Sequence, residues 1–180
     1  MLHVLVDMDG VLANFEASFL NHWRLKYPNK PFIPLEERTT FSVDDQYPNE
    51  VKTLVGEIYH AQSFFASLEP IPGAIAALQG MTEHGLDVLI CSSPLSNYRN
   101  CVIEKYEWIE KHLGKSWIRR FTLTRDKTIL RADILIDDRP NIQGIYEPCW
   151  EHIIYDQPYN RSETSKRRLN WQNWRNVLMR

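Results

Sequence analysis

Two aspartates separated by one residue, Asp7 and Asp9, directly follow the apolar run 2–6 and precede Gly10. Alternate residues of a strand share a side, so both carboxylates are expected on one face where the strand ends. Two acids in this position repel each other, and a hard cation such as Mg²⁺ or a shared proton would relieve the repulsion. A solvated acidic turn would have the same residues. The motif alone therefore leaves metal-assisted chemistry and an ordinary turn both open.

Further polar groups follow other short apolar runs of the chain. In chain order they are Ser92 and Ser93 after 87–91, Lys127 after 121–124, and Asp137 and Asp138 after 134–136. A hydroxyl and free loop N–H groups can hold phosphate oxygens, and a lysine can neutralise them. Each group alone is ambiguous, since serine is common in turns and lysine on surfaces. Their joint order, each after a predicted strand, predicts one site at one edge of a sheet.

The elements that position these groups alternate between strands and helices. The apolar runs 2–6, 87–91, 134–136 and 152–155 are short, as buried strands are, and 121–124 is a less clear fifth. Apolar residues at three- and four-residue steps predict helices in the intervening and terminal segments. They are Ile75, Leu78 and Met81; Tyr98, Val102, Tyr106, Ile109 and Leu113, with Gly114 as a stop; and Leu169, Trp171, Trp174, Val177 and Leu178. The predicted fold is α/β, a Rossmann-like parallel sheet flanked by helices.

The segment 15–71 does not fit this alternation. It contains two helical stripes separated by the loop 28–48: Phe15, Phe19, Trp23 and Tyr27, then Val51, Leu54, Val55 and Ile58. We predict a small helical cap inserted after the first strand, with residues 1–14 and 72–180 forming the core. A cap at this place would cover the carboxyl edge of the sheet, exclude water and select substrate. Its aromatic residues could instead simply fill the interior of the insertion.

Composition limits the classes of function. The 180 residues are 43% hydrophobic and 24% charged, enough for one substantial core and a small accessory part. The net charge of -2 provides no basic surface for extended nucleic acid, whereas small anionic substrates fit. Three cysteines without paired spacing argue against a disulfide framework or a structural zinc site. With no membrane-length apolar run and a strand from residue 2, we expect a cytoplasmic protein without membrane attachment.

With these motifs, the sequence resembles the haloacid dehalogenase-like (HAD) phosphohydrolases, and within them the 5'(3')-deoxyribonucleotidases. The four superfamily motifs correspond to Asp7-x-Asp9-Gly10, Ser92, Lys127 and Asp137-Asp138. The narrower resemblance lies in the stretches 7–13, 64–65, 68–74, 91–94, 123–128 and 136–140, and it covers nearly the whole chain. It implies a HAD-like core and phosphate release from nucleoside monophosphates.

The resemblance also implies a role for each motif residue. Asp7 would attack phosphorus to form an aspartyl-phosphate, and Asp9 would act as general acid and then base. Ser92, Ser93 and Lys127 would bind the phosphoryl oxygens. Mg²⁺ would be held by the Asp7 carboxylate, the Asp9 backbone carbonyl and Asp137, while Asp138 would orient the metal shell or Lys127.

Substrate selection would depend on residues that match family positions near the nucleoside pocket: Phe15, Phe41, Phe64, Phe65 and Arg139. Packing within the cap, or a surface ion pair for Arg139, would also account for them. Ser42 stands where related enzymes can have tryptophan, which leaves base preference open. The alternatives to a nucleotidase are a HAD-like phosphatase for another small phosphomonoester and a catalytically silent binding protein with the same fold. A homodimer is compatible with all three.

Overall fold

A six-stranded parallel sheet forms the centre of the molecule. The structure is a computed structural model that describes residues 1–179. The strands are β1 (His3–Val6), β2 (Asp87–Ser92), β3 (Phe121–Leu123), β4 (Ile134–Asp137), β5 (Glu151–Tyr155) and β6 (Arg168–Leu169). Their spatial order is β3-β2-β1-β4-β5-β6, and every neighbouring pair is parallel. The prediction of an α/β fold with a Rossmann-like parallel sheet is confirmed.

The central strand β1 determines where the sheet can bind a ligand. Val6 lies opposite Ile90 of β2 on one side and Ile136 of β4 on the other. The strand order therefore reverses between β1 and β4, and such a reversal opens a crevice at the carboxyl ends of the strands. Val6, Ile90 and Ile136 are completely buried, as expected for strands covered on both faces.

In residues 1–179, five helices accompany the sheet: α1 (Phe15–Lys26), α2 (Lys52–Tyr59), α3 (Ala74–Glu83), α4 (Arg99–Leu113) and α5 (Trp174–Leu178). Helices α3 and α4 lie where the sequence predicts them, and Gly114 follows α4 with a positive φ of 88°. Within the described part of the chain, no helix has the length and apolar character needed to cross a membrane.

Two details of the helix prediction are wrong. The buried face of α4 contains Cys101, Lys105 and Trp108, whereas the predicted stripe contained Tyr98, which is exposed. At the C-terminal end, Leu169 lies in β6 and not in a helix. The backbone N–H of Asp156 donates to the Leu169 carbonyl at 2.8 Å, so pairing with the edge of β5 replaces helix formation until Trp174.

The chain between β1 and α3 forms a helical insertion. The chain leaves and re-enters through adjacent backbone segments, because the Asn14 N–H donates to Glu69 O at 2.8 Å and the Ile71 N–H to Leu12 O at 2.7 Å. The insertion contains α1, α2 and three short 3₁₀ helices. Its aromatic side chains pack together, with the Trp23 and Tyr47 ring centroids 4.7 Å apart. The chain segments at the two ends of the insertion are thus hydrogen-bonded to each other through an isolated antiparallel bridge between Ala13 and Pro70.

Candidate active site

A buried lysine joins two acids at the carboxyl edge of the sheet. Nζ of Lys127, in the turn after β3, donates to Oδ1 of Asp7 at 2.5 Å and also to Oδ2 of Asp137. Asp7 follows β1 and Asp137 ends β4, so the strand reversal brings these three residues together. All three are buried. A buried cation with two acids keeps its charge compensated, and it lies where a phosphate could bind.

Burial and pairing have opposite effects on these groups. Burial raises the pKa of Asp7 above its ordinary value, although Lys127 counteracts this effect. Burial tends to lower the pKa of Lys127, but the carboxylates of Asp137 and Asp7 outweigh it and raise this pKa well above the usual range. Lys127 therefore remains a cation at every physiological pH.

The adjacent acids Asp137 and Asp138 have different surroundings. Oδ2 of Asp137 accepts from Lys127 and Oδ1 accepts from the backbone N–H of Arg139 at 2.8 Å. Oδ2 of Asp138 accepts from the Tyr159 hydroxyl, while its Oδ1 is buried without a hydrogen-bond partner among the described residues. Burial, helped by the charges of Asp137 and Asp7, raises the pKa of Asp138 well above its usual range. Both oxygens of Asp137 thus have hydrogen-bond donors, whereas one oxygen of Asp138 has none among the described residues.

These acids form a group that could hold a divalent metal. Carboxylate oxygens of Asp7, Asp137 and Asp138 lie within 4.8 Å of one another. Within this group both oxygens of Asp137 accept hydrogen bonds, whereas Oδ1 of Asp138 is buried without a partner among the described residues.

A second lysine, which the sequence analysis did not identify, pairs with Asp9. Nζ of Lys105 forms an ion pair with Oδ2 of Asp9, donates to Oγ of Ser92 at 2.7 Å and lies 4.9 Å from the Phe65 ring centroid. Lys105 is completely buried. Its position four residues after Cys101 and three before Trp108 on α4 would have marked it, had the helix face been predicted correctly. Asp7 and Asp9 therefore pair with different lysines, Lys127 and Lys105.

The two serines after β2 differ in where they point. Ser92 is buried, and its hydroxyl lies beside Lys105 with its own proton available to another acceptor. Ser93 lines the cavity but its hydroxyl donates to the Thr124 carbonyl at 3.0 Å. Ser93 can thus offer its backbone N–H to a ligand more readily than its side chain.

A cavity of about 400 Å³ lies over this cluster, a size that suits a small ligand. Phe15, Phe41 and Phe65 of the insertion line it, together with Arg139, whose guanidinium lies 5.3 Å from the Phe41 ring centroid. Phe64 does not lie among the lining residues of the described chain, because it is buried behind Phe15 and Phe65. Ser42, Tyr59 and Tyr159 complete this part of the wall.

The fold is that of a HAD-like hydrolase. A HAD family hydrolase from Deinococcus radiodurans R1 with bound phosphate and sodium has the same fold, with a TM-score of 0.61 and 12% identity over 98% of this chain and 94% of that one. All 180 residues match the family described as 5' nucleotidase, deoxy (pyrimidine), cytosolic type C protein. The chain belongs to this family and is a phosphohydrolase.

Two human relatives are similar over almost the whole chain. The cytosolic-type 5'(3')-deoxyribonucleotidase is 45% identical over 98% of this chain and 93% of its own length. The mitochondrial 5'(3')-deoxyribonucleotidase is 43% identical over 98% of this chain and 82% of its own length. The resemblance predicted from the motifs is confirmed.

Proposed function

We propose that the protein is a Mg²⁺-dependent 5'(3')-deoxyribonucleotidase that releases phosphate from deoxyribonucleoside monophosphates through an aspartyl-phosphate. The observation that carries the proposal is the cluster of Asp7, Lys127, Asp137 and Asp138 beneath an aromatic cavity. The cluster combines a nucleophile, Asp7, with a cation held in place, Lys127, and with carboxylate oxygens that could ligate a metal. Relatives named as deoxyribonucleotidases support the substrate class.

The residues present fit a divalent metal. We assign the metal to the carboxylates of Asp7 and Asp138 and to the backbone carbonyl of Asp9, and we assign Asp137 to orienting Lys127. The buried, unpartnered Oδ1 of Asp138 supports this assignment. Oxygen ligands of this type favour Mg²⁺. When bound, the ion would neutralise charge on the phosphoryl oxygens and so ease the approach of an anionic nucleophile.

The reaction proceeds in two displacements. A carboxylate oxygen of Asp7 bonds to phosphorus as the bond from phosphorus to the nucleoside oxygen breaks, and Asp9 gives its proton to that leaving oxygen. Asp9 then takes a proton from water, whose oxygen attacks phosphorus and releases Asp7 and inorganic phosphate. Burial raises the pKa of Asp9 despite the opposing charge of Lys105, which favours the protonated form that the first step needs.

Two cations and a hydroxyl assist both displacements. Lys127 neutralises developing charge on the phosphoryl oxygens, and its two carboxylate partners fix its position. Ser92 donates a hydrogen bond to a phosphoryl oxygen while Lys105 holds its Oγ. Ser93 contributes its backbone N–H. Because these groups are in place before substrate binds, little reorganisation is needed during reaction.

The insertion supplies the substrate pocket. We propose that residues 15–71 act as a cap and residues 1–14 and 72–180 as the catalytic core. A base that stacks on the rings of Phe15, Phe41 or Phe65 would gain about 1–3 kcal/mol. Arg139 beside Phe41 can contact the substrate's polar edge. We also propose a cytosolic location, in agreement with the cytosolic-type relative, and a homodimer.

Steady-state kinetics with a panel of substrates tests the proposal. Initial rates of phosphate release are measured for deoxyribonucleoside 5'- and 3'-monophosphates, their ribose counterparts and sugar phosphates, with Mg²⁺ and with EDTA. We expect the highest kcat/KM for deoxyribonucleotides and no turnover in EDTA. Dominant turnover of sugar phosphates would instead support the second candidate, a HAD-like phosphatase for another small phosphomonoester. Undiminished turnover in EDTA would contradict the proposed dependence of turnover on a metal ion.

A further inference from the structure

Tyr159 contacts both an acid at the edge of the sheet and the part of the insertion that lines the cavity. It lies in the 3₁₀ helix Pro158–Asn160 after β5 and is buried. Its hydroxyl donates to Oδ2 of Asp138 in the core. Its ring meets the cap on the other side, with the Phe41 ring centroid 6.1 Å away at an interplanar angle of 74° and the Arg38 guanidinium 5.6 Å from the ring centroid. One side chain therefore joins the cap to an acid at the metal site.

The core side of this contact is rigidly held. Nδ2 of Asn160 donates to the Asp138 carbonyl at 2.8 Å, and Nε2 of Gln157 donates to the Gly10 carbonyl at 2.6 Å. Arg168 in turn donates to the side-chain and backbone oxygens of Asn160. The segment 157–160 thus donates hydrogen bonds to the backbone carbonyl of Asp138 and, through Tyr159, to its carboxylate. These two hydrogen bonds restrict the orientation of the Asp138 carboxylate.

The hydrogen bond from Tyr159 determines which carboxylate oxygen of Asp138 has no partner within residues 1–179. With Oδ2 engaged by the Tyr159 hydroxyl, Oδ1 is the oxygen left without a partner among the described residues, and Asp138 belongs to the group of acids that could hold a metal. Hydrogen bonds that orient a ligating carboxylate are worth a large part of a site's metal affinity. Tyr159 would therefore act on a bound metal through Asp138 and not by direct contact.

The cap side is anchored through Arg38. This arginine forms a buried ion pair with Glu16 of α1 and also donates to the side chain of Gln46. Its guanidinium rests against the ring of Tyr159, and three residues further on Phe41 packs against the same ring. The Tyr159 ring thus supports the loop 38–41, which carries Phe41 into the cavity.

We propose that Tyr159 is a positioning residue with two separable functions. Its hydroxyl orients Asp138 for the metal, and its ring supports the loop 38–41 against which the nucleoside binds. One side chain thereby helps to position both the phosphate and the nucleoside of the substrate. The inference rests on the proposed function, specifically on Mg²⁺ bound through Asp138.

The hydroxyl function is tested by metal binding without substrate. Isothermal titration calorimetry measures the Kd for Mg²⁺ of the full chain and of Tyr159→Phe. We expect the Kd of Tyr159→Phe to rise by roughly 10-fold or more. Tyr155→Phe is the matched control, because Tyr155 is also buried but its hydroxyl makes no hydrogen bond to Asp138 within the described chain. Equal Kd values for Tyr159→Phe and the wild type would overturn this function.

The ring function is tested by comparing Tyr159→Leu with Tyr159→Phe at saturating Mg²⁺. We expect the KM for thymidine 5'-monophosphate to be several-fold higher in Tyr159→Leu, while the KM for p-nitrophenyl phosphate, which has no nucleoside, is the same in both. Equal nucleotide KM values would overturn the ring function. If circular dichroism shows Tyr159→Leu unfolded, Tyr159→Met takes its place with the same expected result.

Hydrolysis and Mg²⁺ binding by the wild-type protein show whether the role of Tyr159 or the proposed function has failed. Wild-type protein that hydrolyses p-nitrophenyl phosphate but no nucleotide would contradict the nucleotidase proposal and the ring function together. The Mg²⁺ titration would still decide the hydroxyl function, since it needs no turnover. Wild-type protein that binds no Mg²⁺ would overturn the hydroxyl function and the metal assignment alike.

Discussion

Lys105 and Asp9, 96 residues apart in the chain, form an ion pair at the edge of the sheet. Lys105 comes from the core-facing side of α4 and is completely buried, while Asp9 is partly exposed to the cavity. The same ammonium group holds the Ser92 hydroxyl. One helix residue therefore fixes both the proposed acid and a proposed phosphate ligand before substrate arrives.

Replacing Lys105 by methionine should slow turnover. Lys105→Met leaves Asp9 without its cation and Ser92 without its donor, so proton transfer to the leaving group loses its fixed geometry. We expect kcat to fall on the order of 10²-fold, within the usual contribution of acid–base catalysis, with a smaller change in KM. The control is Lys111→Met on the same helix, where the side chain is exposed. A kcat for Lys105→Met within twofold of wild type would contradict the role.

The two acids after β4 should respond differently to amide substitution. Asp138→Asn removes the charge of the oxygen that lacks a partner, so we expect Mg²⁺ binding measured by calorimetry to disappear. Asp137→Asn weakens the hold on Lys127 and should reduce kcat, with a smaller loss of Mg²⁺ affinity than Asp138→Asn. The reverse order of Mg²⁺ affinities would restore Asp137 as the metal ligand.

Without metal, Asp138 should make the protein less stable as the pH rises. Its folded-state pKa is raised, mainly by burial, so the unfolded chain loses this proton at a lower pH than the folded protein does. The free energy of unfolding in EDTA should therefore decrease as the pH increases above the ordinary carboxyl pKa of 3.8. Asp138→Asn should have a higher Tm than wild type in EDTA at pH 7, measured by calorimetry. A lower Tm for Asp138→Asn than for wild type would contradict the idea that the buried Asp138 carboxylate destabilises the metal-free protein.

His152 should make the protein sensitive to mild acid. Burial, together with nearby Lys166, lowers its pKa from 6.5 to about 4. The folded protein therefore resists protonation that the unfolded chain accepts, and stability present above pH 6.5 is lost as the pH falls toward 4. The loss is at most about 3 kcal/mol.

Urea unfolding between pH 7 and pH 4 measures this loss. We expect His152→Gln to show a smaller decrease in unfolding free energy over this range than wild type does. His22→Gln, at an exposed position of α1, should follow the wild-type curve. Identical pH dependence in His152→Gln and wild type would rule out His152 as the source.

The sheet and the motif residues were predictable because they depend on local patterns. A short apolar run followed by an acid, as in 2–6 and Asp7, places the acid at a strand end whatever the rest of the chain does. Parallel strands then bring such ends to one edge. Asp7, Lys127 and Asp137 meet for this reason, and their contacts follow from topology more than from fine detail.

The remaining features depend on tertiary contacts that one sequence does not display. Lys105 was missed because a shift of the buried face of α4 by about one residue moves it from the predicted surface to the core. Asp137 and Asp138 are adjacent, and only contacts from Lys127 and Tyr159 distinguish them. Leu169 belongs to a strand because the free edge of β5 needs a partner. Phe64 faces away from the cavity because Phe15 and Phe65 cover it.

The proposed reaction of a Mg²⁺-dependent nucleotidase depends above all on Asp7 as the nucleophile. The most direct test is the rate at which purified Asp7→Asn releases phosphate from thymidine 5'-monophosphate at saturating Mg²⁺, compared with wild type. Asparagine keeps the shape of Asp7 and removes the attacking oxygen's charge. We predict that wild type turns over and that Asp7→Asn, correctly folded by circular dichroism, has no measurable turnover. Turnover by Asp7→Asn at the wild-type rate would contradict the role of Asp7 as nucleophile.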